Sequence, residues 1–144
     1  MSPISKSIEI SAPREKVLGV VLDVERYPDW QREVQKITVE QQDEQGRPLT
    51  TKVDVKAMGQ SGYYRVRYEY PDADTVSYHL TEGDMMTKND ATFAVADKGR
   101  GVTQLTVGMD LALKWPLPAM MVNQLIIKGV KDMLKSVKKQ AEGT

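Results

Sequence analysis

Five of the six tyrosines, Tyr63, Tyr64, Tyr68, Tyr70 and Tyr78, fall in one short stretch of the chain, which carries only one phenylalanine, Phe93. A phenol is an apolar ring with one hydroxyl that needs a partner when buried. A solid core therefore favours phenylalanine and leucine, and a hollow apolar site with a few oxygens to satisfy favours tyrosine. Arg65 and Arg67 are interleaved with these tyrosines, and His79 is the lone histidine. An interior arginine could hold a carboxylate through two bonds, and an interior histidine could move a proton near neutral pH. Cysteine is absent, which removes disulfides, thiolate metal sites and thiol nucleophiles. There is no glycine-rich phosphate loop before a helix, no carboxylate pair in glycosidase context and no metal-ligand cluster. The sequence displays no catalytic constellation, and the expectation is no catalytic residue, no metal and no cofactor.

The elements that must position these residues are marked by turns at a regular pitch: Asp43–Gly46, Gly59–Gly62, Pro71–Asp74, Glu82–Asp84 and Asp97–Gly101. Segments of this length between such turns read as consecutive antiparallel strands. Before Gly59, the residues Leu49, Val53, Val55 and Ala57 oppose Thr50, Lys52, Asp54 and Lys56, a period of two with one apolar face. Leu105, Val107, Met109, Leu111 and Leu113 repeat it in the last strand. With an opening strand near Ile4–Ile10, seven strands are expected in a curved sheet.

Two helices complete the pattern. Ser11 can cap the first, Pro13 fits its first turn, and Val17, Leu18, Val21 and Leu22 recur at helical spacing until about Asp23. The second begins after Trp115-Pro116-Leu117-Pro118 and runs to about Lys139. Ala119, Val122, Ile126, Val130, Met133, Leu134 and Val137 form its apolar stripe, which wants to cross a concave sheet.

With 144 residues, the chain fits one domain, 1–144, and can bury one core. Its 20 basic and 20 acidic residues cancel, so no net field attracts nucleic acid or anionic lipid. The N-terminus lacks the apolar stretch of a signal peptide, and no run of about 18 apolar residues could cross a bilayer. The expectations are a cytoplasmic protein, no nucleic-acid partner and no stable membrane insertion.

Strand, short helical insertion, six meandering strands and long terminal helix: this α+β order resembles the helix-grip fold of the START-like superfamily, which includes polyketide cyclases and dehydratases. Local motifs carry the resemblance. Ser7-Ile8-Glu9-Ile10-Ser11-Ala12-Pro13, followed by Val24-Glu25-Arg26-Tyr27-Pro28-Asp29-Trp30, is similar to an I-x-A-P-x-x-x-V … D-x-x-x-Y-P-x-W opening of the polyketide cyclase/dehydrase and lipid-transport branch. Glu82-Gly83-Asp84 sits where that branch often has an acidic-glycine turn. The likeness covers nearly the whole chain and is greatest to small actinobacterial members. It implies two short helices after the first strand, the second formed by Tyr27–Trp30 beside a cavity entrance. Because this scaffold hosts carriers, cyclases, hydrolases and sensors, the resemblance fixes fold better than function.

On this frame Tyr64, Val66, Tyr68 and Tyr70 share one strand face, and Val76, Tyr78 and Leu80 share the next. If those faces are concave, they line an apolar pocket with a few hydroxyls, suited to a lipid or polyketide. The alternative is a sheet rich in a strand-favouring residue. Arg65, Arg67 and His79 then face outward, the arginines pairing with neighbours such as Asp54 or Glu69. Trp30 either plugs the end of the core or lines the cavity. Met121 and Leu125 fall outside the helical stripe beside the Trp115–Pro118 lip, which reads as a portal, a homodimer or protein contact, a membrane-touching edge, or packing under the first helix. The expected ligand-binding residues are Trp30, Tyr64, Tyr68, Tyr78, Phe93, Met109, Leu111, Trp115 and Met120. The expected function is to bind, and to carry or present, a hydrophobic small molecule. An aromatase/cyclase-like enzyme is the second reading, and an accessory subunit using the Trp115–Leu125 edge is the third.

Overall fold

The computed structural model describes residues 4–57, 59–114 and 116–143. Strand β1 (Ile4–Ile10) is followed by α1 (Arg14–Leu22) and a 3-10 helix (Val24–Asp29). Six strands follow: β2 (Val34–Gln42), β3 (Pro48–Ala57), β4 (Gln60–Asp72), β5 (Thr75–Gly83), β6 (Met86–Gly99) and β7 (Val102–Leu113). Helix α2 (Ala119–Glu142) closes the chain. The strands form one antiparallel sheet in the order β1-β7-β6-β5-β4-β3-β2, so the first strand returns to pair with the last. The seven strands are those expected from the turn pitch, and their arrangement around α2 is the helix-grip that the resemblance implies.

The turns explain the meander. Between β6 and β7, Gly99, Arg100 and Gly101 all adopt positive φ (85°, 60° and 75°), and Asp97 Oδ1 accepts the Gly99 N–H at 2.8 Å. Two glycines carry most of a left-handed turn that β-carbons resist. The period-two pattern sets the faces: Thr51 pairs with Val66, Tyr68 with Tyr78, and Phe93 with Val107, all turned toward α2's side of the sheet. A register shift between Glu69 and Asp72 bends the end of β4, where the Tyr70 hydroxyl donates to the Pro48 carbonyl at 2.6 Å.

The helices differ from expectation at their ends. Pro13, in extended conformation, is the N-cap of α1, without a side-chain cap. Ser11 instead donates its backbone N–H to Glu142 Oε2 at 2.7 Å, and Lys138 Nζ bonds both Glu142 (2.7 Å) and the Glu9 carbonyl (2.9 Å). These bonds draw α2 on to Glu142, beyond the expected end near Lys139. Ile126, Val130, Met133, Leu134, Val137 and Ala141 are its buried face. Ala119, expected on that stripe, is exposed and Val122 is half-buried, because the first turn of α2 projects past the sheet.

Helix α2 packs on β1, β7 and α1. There the core is closed: Ile10, Leu105, Val107, Val130 and Val137 are fully buried. Toward the β2 edge the sheet curves away from the helix and leaves a space. Among the described residues, no helix is long and apolar enough to cross a membrane.

Candidate functional site

That space is a cavity of about 530 Å³ between α2 and the inner face of β2–β7. Val34, Val53, Val55 and Val66 form one wall, Tyr64, Tyr68 and Tyr78 the floor, and Met109 and Leu111 the side toward the closed core. Met85, Met86, Leu113 and Leu125 stand at the end where β5 turns into β6 and β7 into α2. The helix approaches through Gly129, where an added Cβ would meet nothing nearer than Met109 Sδ at 4.0 Å. Smallness at that helix position widens the cavity.

The floor is a tilted aromatic stack. Tyr68 and Tyr78 have ring centroids 5.4 Å apart, and Tyr78 and Phe93 stand 6.3 Å apart. Such tilted pairs favour contact between ring edge and face. Phe93 is 2% exposed and lies behind Tyr78, outside the cavity lining. Trp30 is half-buried against Tyr27 (4.7 Å between centroids) and lines the cavity, so one ring both plugs the core and bounds the space. The Tyr27 hydroxyl donates to the Val21 carbonyl, tying the 3-10 helix to α1.

Six of the expected residues are therefore brought together on the lining: Trp30, Tyr64, Tyr68, Tyr78, Met109 and Leu111. Met120 is not among them. It is 75% exposed in the projecting first turn of α2, with Met121 at 54% and Leu125 at 40%. Trp115 lies outside the described residues. Among the described residues of that edge, Leu125 alone reaches the cavity, making the apolar ridge continuous with the mouth.

The charges divide sharply between rim and interior. Arg32, Glu33, Lys128, Asp132 and Lys135 touch the cavity but are all exposed. Lys128 holds Asp132 at 2.7 Å, a bond that raises its pKa. Inside, the polar groups are uncharged. Burial pushes the Tyr64 phenol up to about 12, against the neighbouring Asn89 amide, which lowers it. Burial also raises Tyr68 and Tyr78, with the neighbouring phenols adding to it. These phenols stay protonated at neutral pH and can donate hydrogen bonds, but none is a ready base.

The interleaved basic residues face the other way. Arg65 binds Glu40 at 3.1 Å and Glu82 at 2.5 Å, while Tyr63 gives its hydroxyl to Glu82 at 2.8 Å. The expected partners Asp54 and Glu69 are engaged elsewhere, by Lys52 (3.9 Å) and His79 (3.3 Å). Glu82 is the direct cross-strand partner of Arg65, and the long guanidinium spans β3 to reach Glu40 on β2. His79 is thus an outer-face residue. Among the described residues no group of three or more acidic, histidine or cysteine side chains could hold a metal ion.

Asn89 was not singled out by sequence. It shares the inner parity of Ala91, Phe93 and Val95 on β6, and the visible clue was one amide on that apolar face. Met85 was missed because it belongs to a turn. It folds over Gly62, where an added Cβ would overlap its sulfur.

A family model described as polyketide cyclase / dehydrase and lipid transport matches residues 1–142. Among solved structures, a START superfamily protein from Mycobacterium smegmatis is similar over 99% of both chains, with 29% identity and a TM-score of 0.91. The Zhui aromatase/cyclase from a Streptomyces species is similar over 97% of this chain and 93% of its own, with 16% identity and a TM-score of 0.79. A protein from Thermus thermophilus gives 20% identity and a TM-score of 0.76 over 96% of each chain. At such low identity these last two show the fold alone. Among curated proteins, none matches the chain in sequence.

Proposed function

The chain belongs to the polyketide cyclase / dehydrase and lipid transport family, and from that premise we propose that it binds a hydrophobic small molecule of lipid or polyketide type in the α2–sheet cavity and carries or presents it. The observation that carries this reading is the separation of charge: an apolar space of about 530 Å³ whose interior polar groups are neutral and whose charged residues stand at the rim. That volume lies within the range of small-molecule sites, which span about 300–1,000 Å³. Enclosure supplies the affinity. Removing about 200 Å² of apolar ligand surface from water gains about 5 kcal/mol before ordering costs. Trp30, Tyr64, Tyr68, Tyr78, Met109 and Leu111 are the proposed binding residues, and the ligand enters past Met85, Leu113 and Leu125.

Native mass spectrometry on protein purified without detergent, followed by organic extraction, tests the reading. The expected result is a co-purifying apolar molecule released by solvent. An empty protein that also fails to bind apolar probes counts against it.

A second reading, an aromatase/cyclase-like enzyme, is favoured by one observation: the Tyr64 phenol and the Asn89 amide are neighbours on the lining and could steady an enolic oxygen. Turnover of a polyketide substrate lost in Tyr64→Phe would support it. Turnover indifferent to every cavity substitution would remove it.

A further inference from the structure

This inference rests on the cavity reading and concerns the end of the ligand that stays at the rim. The rim carries three cations, Arg32, Lys128 and Lys135, against two carboxylates, Glu33 and Asp132. They are not equally engaged. Lys128 holds Asp132 at 2.7 Å, and Asp132 first, then Glu33, raises the Lys128 pKa, so both carboxylates act on that one ammonium. Arg32 stands in the link between the 3-10 helix and β2, and Lys135 lies two turns along α2 from Lys128. Among the described residues neither has an ion pair or a side-chain hydrogen bond.

Neutral donors stand on the same stretch of the lining. Ser136, next to Lys135, is half-buried and its hydroxyl makes no bond, while Gln31 Nε2 reaches only Met133 Sδ at 3.6 Å. A thioether is a weak acceptor, so the amide gains by turning to an oxygen anion. Deeper in, the Tyr64, Tyr68 and Tyr78 phenols are neutral, and an anion there would be buried without a cation. The tyrosine floor therefore suits an apolar chain, and a charged end belongs at the rim. Its sign follows from the unengaged groups: an ammonium would meet two free cations, whereas a carboxylate can accept from the planar fork of Arg32 and from Lys135. A surplus of one positive charge matches a single negative one.

We infer that the cavity binds a monoanionic amphiphile, a fatty-acid-like carboxylate, with its apolar chain over the tyrosine floor and its carboxylate at the rim, paired with Arg32 and Lys135. The two cations then select the ligand by its head, and the cavity selects it by its chain.

The test compares decanoate, decanol and decylamine by isothermal titration at neutral pH on the full chain. The proteins are wild type, Arg32→Gln, Lys135→Gln, the double variant, and Lys139→Gln as a control one turn further along α2 and off the lining. Wild type should bind decanoate roughly fivefold tighter than decanol, the gain that two exposed ion pairs can supply, and decylamine weakest. Each single variant should lose part of that preference. In the double variant decanoate should fall to the level of decanol, whose own affinity stays unchanged, and Lys139→Gln should behave as wild type. The substituted side chains are exposed, so folding is kept, and the wild-type comparison of three heads stands without any variant. Decanol or decylamine binding as tightly as decanoate, a preference that survives the double substitution, or an equal loss in Lys139→Gln overturns the carboxylate assignment while leaving the cavity reading intact. No binding of any probe to wild type overturns both.

Discussion

One sheet carries two halves of opposite character. On β1 and β7, where α2 sits down, the inner face is aliphatic and closed: Ile10, Leu105, Val107, Val130 and Val137 leave no exposed surface. Toward β2–β5, the inner face holds three tyrosines, Trp30 stands beside it, and the helix turns Gly129 toward the gap. The difference teaches how a small chain maintains a hollow. The closed half supplies stability through volume-matched aliphatic packing. The open half uses rigid rings that hold their shape without a filling partner, and the Tyr64 and Tyr68 hydroxyls stand beside Asn89 and Thr51. The bond from the Ser11 N–H to Glu142 fastens the last turn of α2 to the segment that follows β1, on the closed half.

If the division holds, the largest effect belongs to the closed half. Leu105→Ala removes a fully buried side chain and should cost about 2–5 kcal/mol by urea denaturation. Binding of decanoate per folded molecule should be unchanged. A loss of affinity in the fraction that remains folded would show that the two halves are not separable.

The second effect belongs to the open half and is set by pH. The Tyr64 phenol, ordinarily at 10.0, is pushed up to about 12. Between those values the folded state keeps a proton that the unfolded state has released, so stability falls as pH rises from 10 and the loss levels off near 12. Below 10 the contribution is fully present. Tyr64→Phe should flatten the alkaline limb of a stability–pH curve by about 3 kcal/mol, with little change at neutral pH. An unchanged alkaline slope would place Tyr64 in water. Filling the space is the next test: Val55→Trp puts a large ring against the lining, and probe affinity should fall about tenfold. Its melting temperature should stay near wild type, because the ring enters a void rather than a packed core.

The closed half was the more legible in sequence, for a physical reason. Leu105, Val107 and the α2 stripe bury apolar side chains at strict periods, and period is what a sequence displays. The tyrosine floor was legible too, as an excess of phenols over phenylalanine. What escaped depended on depth and on ends. Phe93 shares its parity with the lining, but parity says which face a residue occupies and not how far behind a neighbour it lies. Ala119 and Met120 continue the helix beyond the sheet, and periodicity cannot show where the facing surface stops. Asn89 was hidden because polar residues are read as outward-facing, and only the register with Leu111 turns it inward. The partners of Arg65 were displaced from Asp54 and Glu69 to Glu40 and Glu82, since a guanidinium reaches across a whole strand.

The smallest expected effect lies on the helix itself, where the two halves meet. Gly129 occupies the middle of α2, a position at which glycine weakens a helix by about 0.8–1.0 kcal/mol relative to alanine. Nothing in the structure forbids the larger residue, because the nearest atom to an added Cβ is Met109 Sδ at 4.0 Å, ordinary contact. Gly129→Ala should therefore raise stability by about 0.5–1 kcal/mol in urea denaturation. It should also weaken binding of decanoate slightly, since the methyl group enters the cavity beside Met109. Gain in stability with loss of affinity would mean that α2 gives up helix strength to keep the open half open. A gain with affinity unchanged would mean that the ligand sits away from Gly129, against the tyrosine floor. A net loss of stability would show the helix closer to the sheet than these distances allow, and the contrast between a closed and an open half would fail at its boundary.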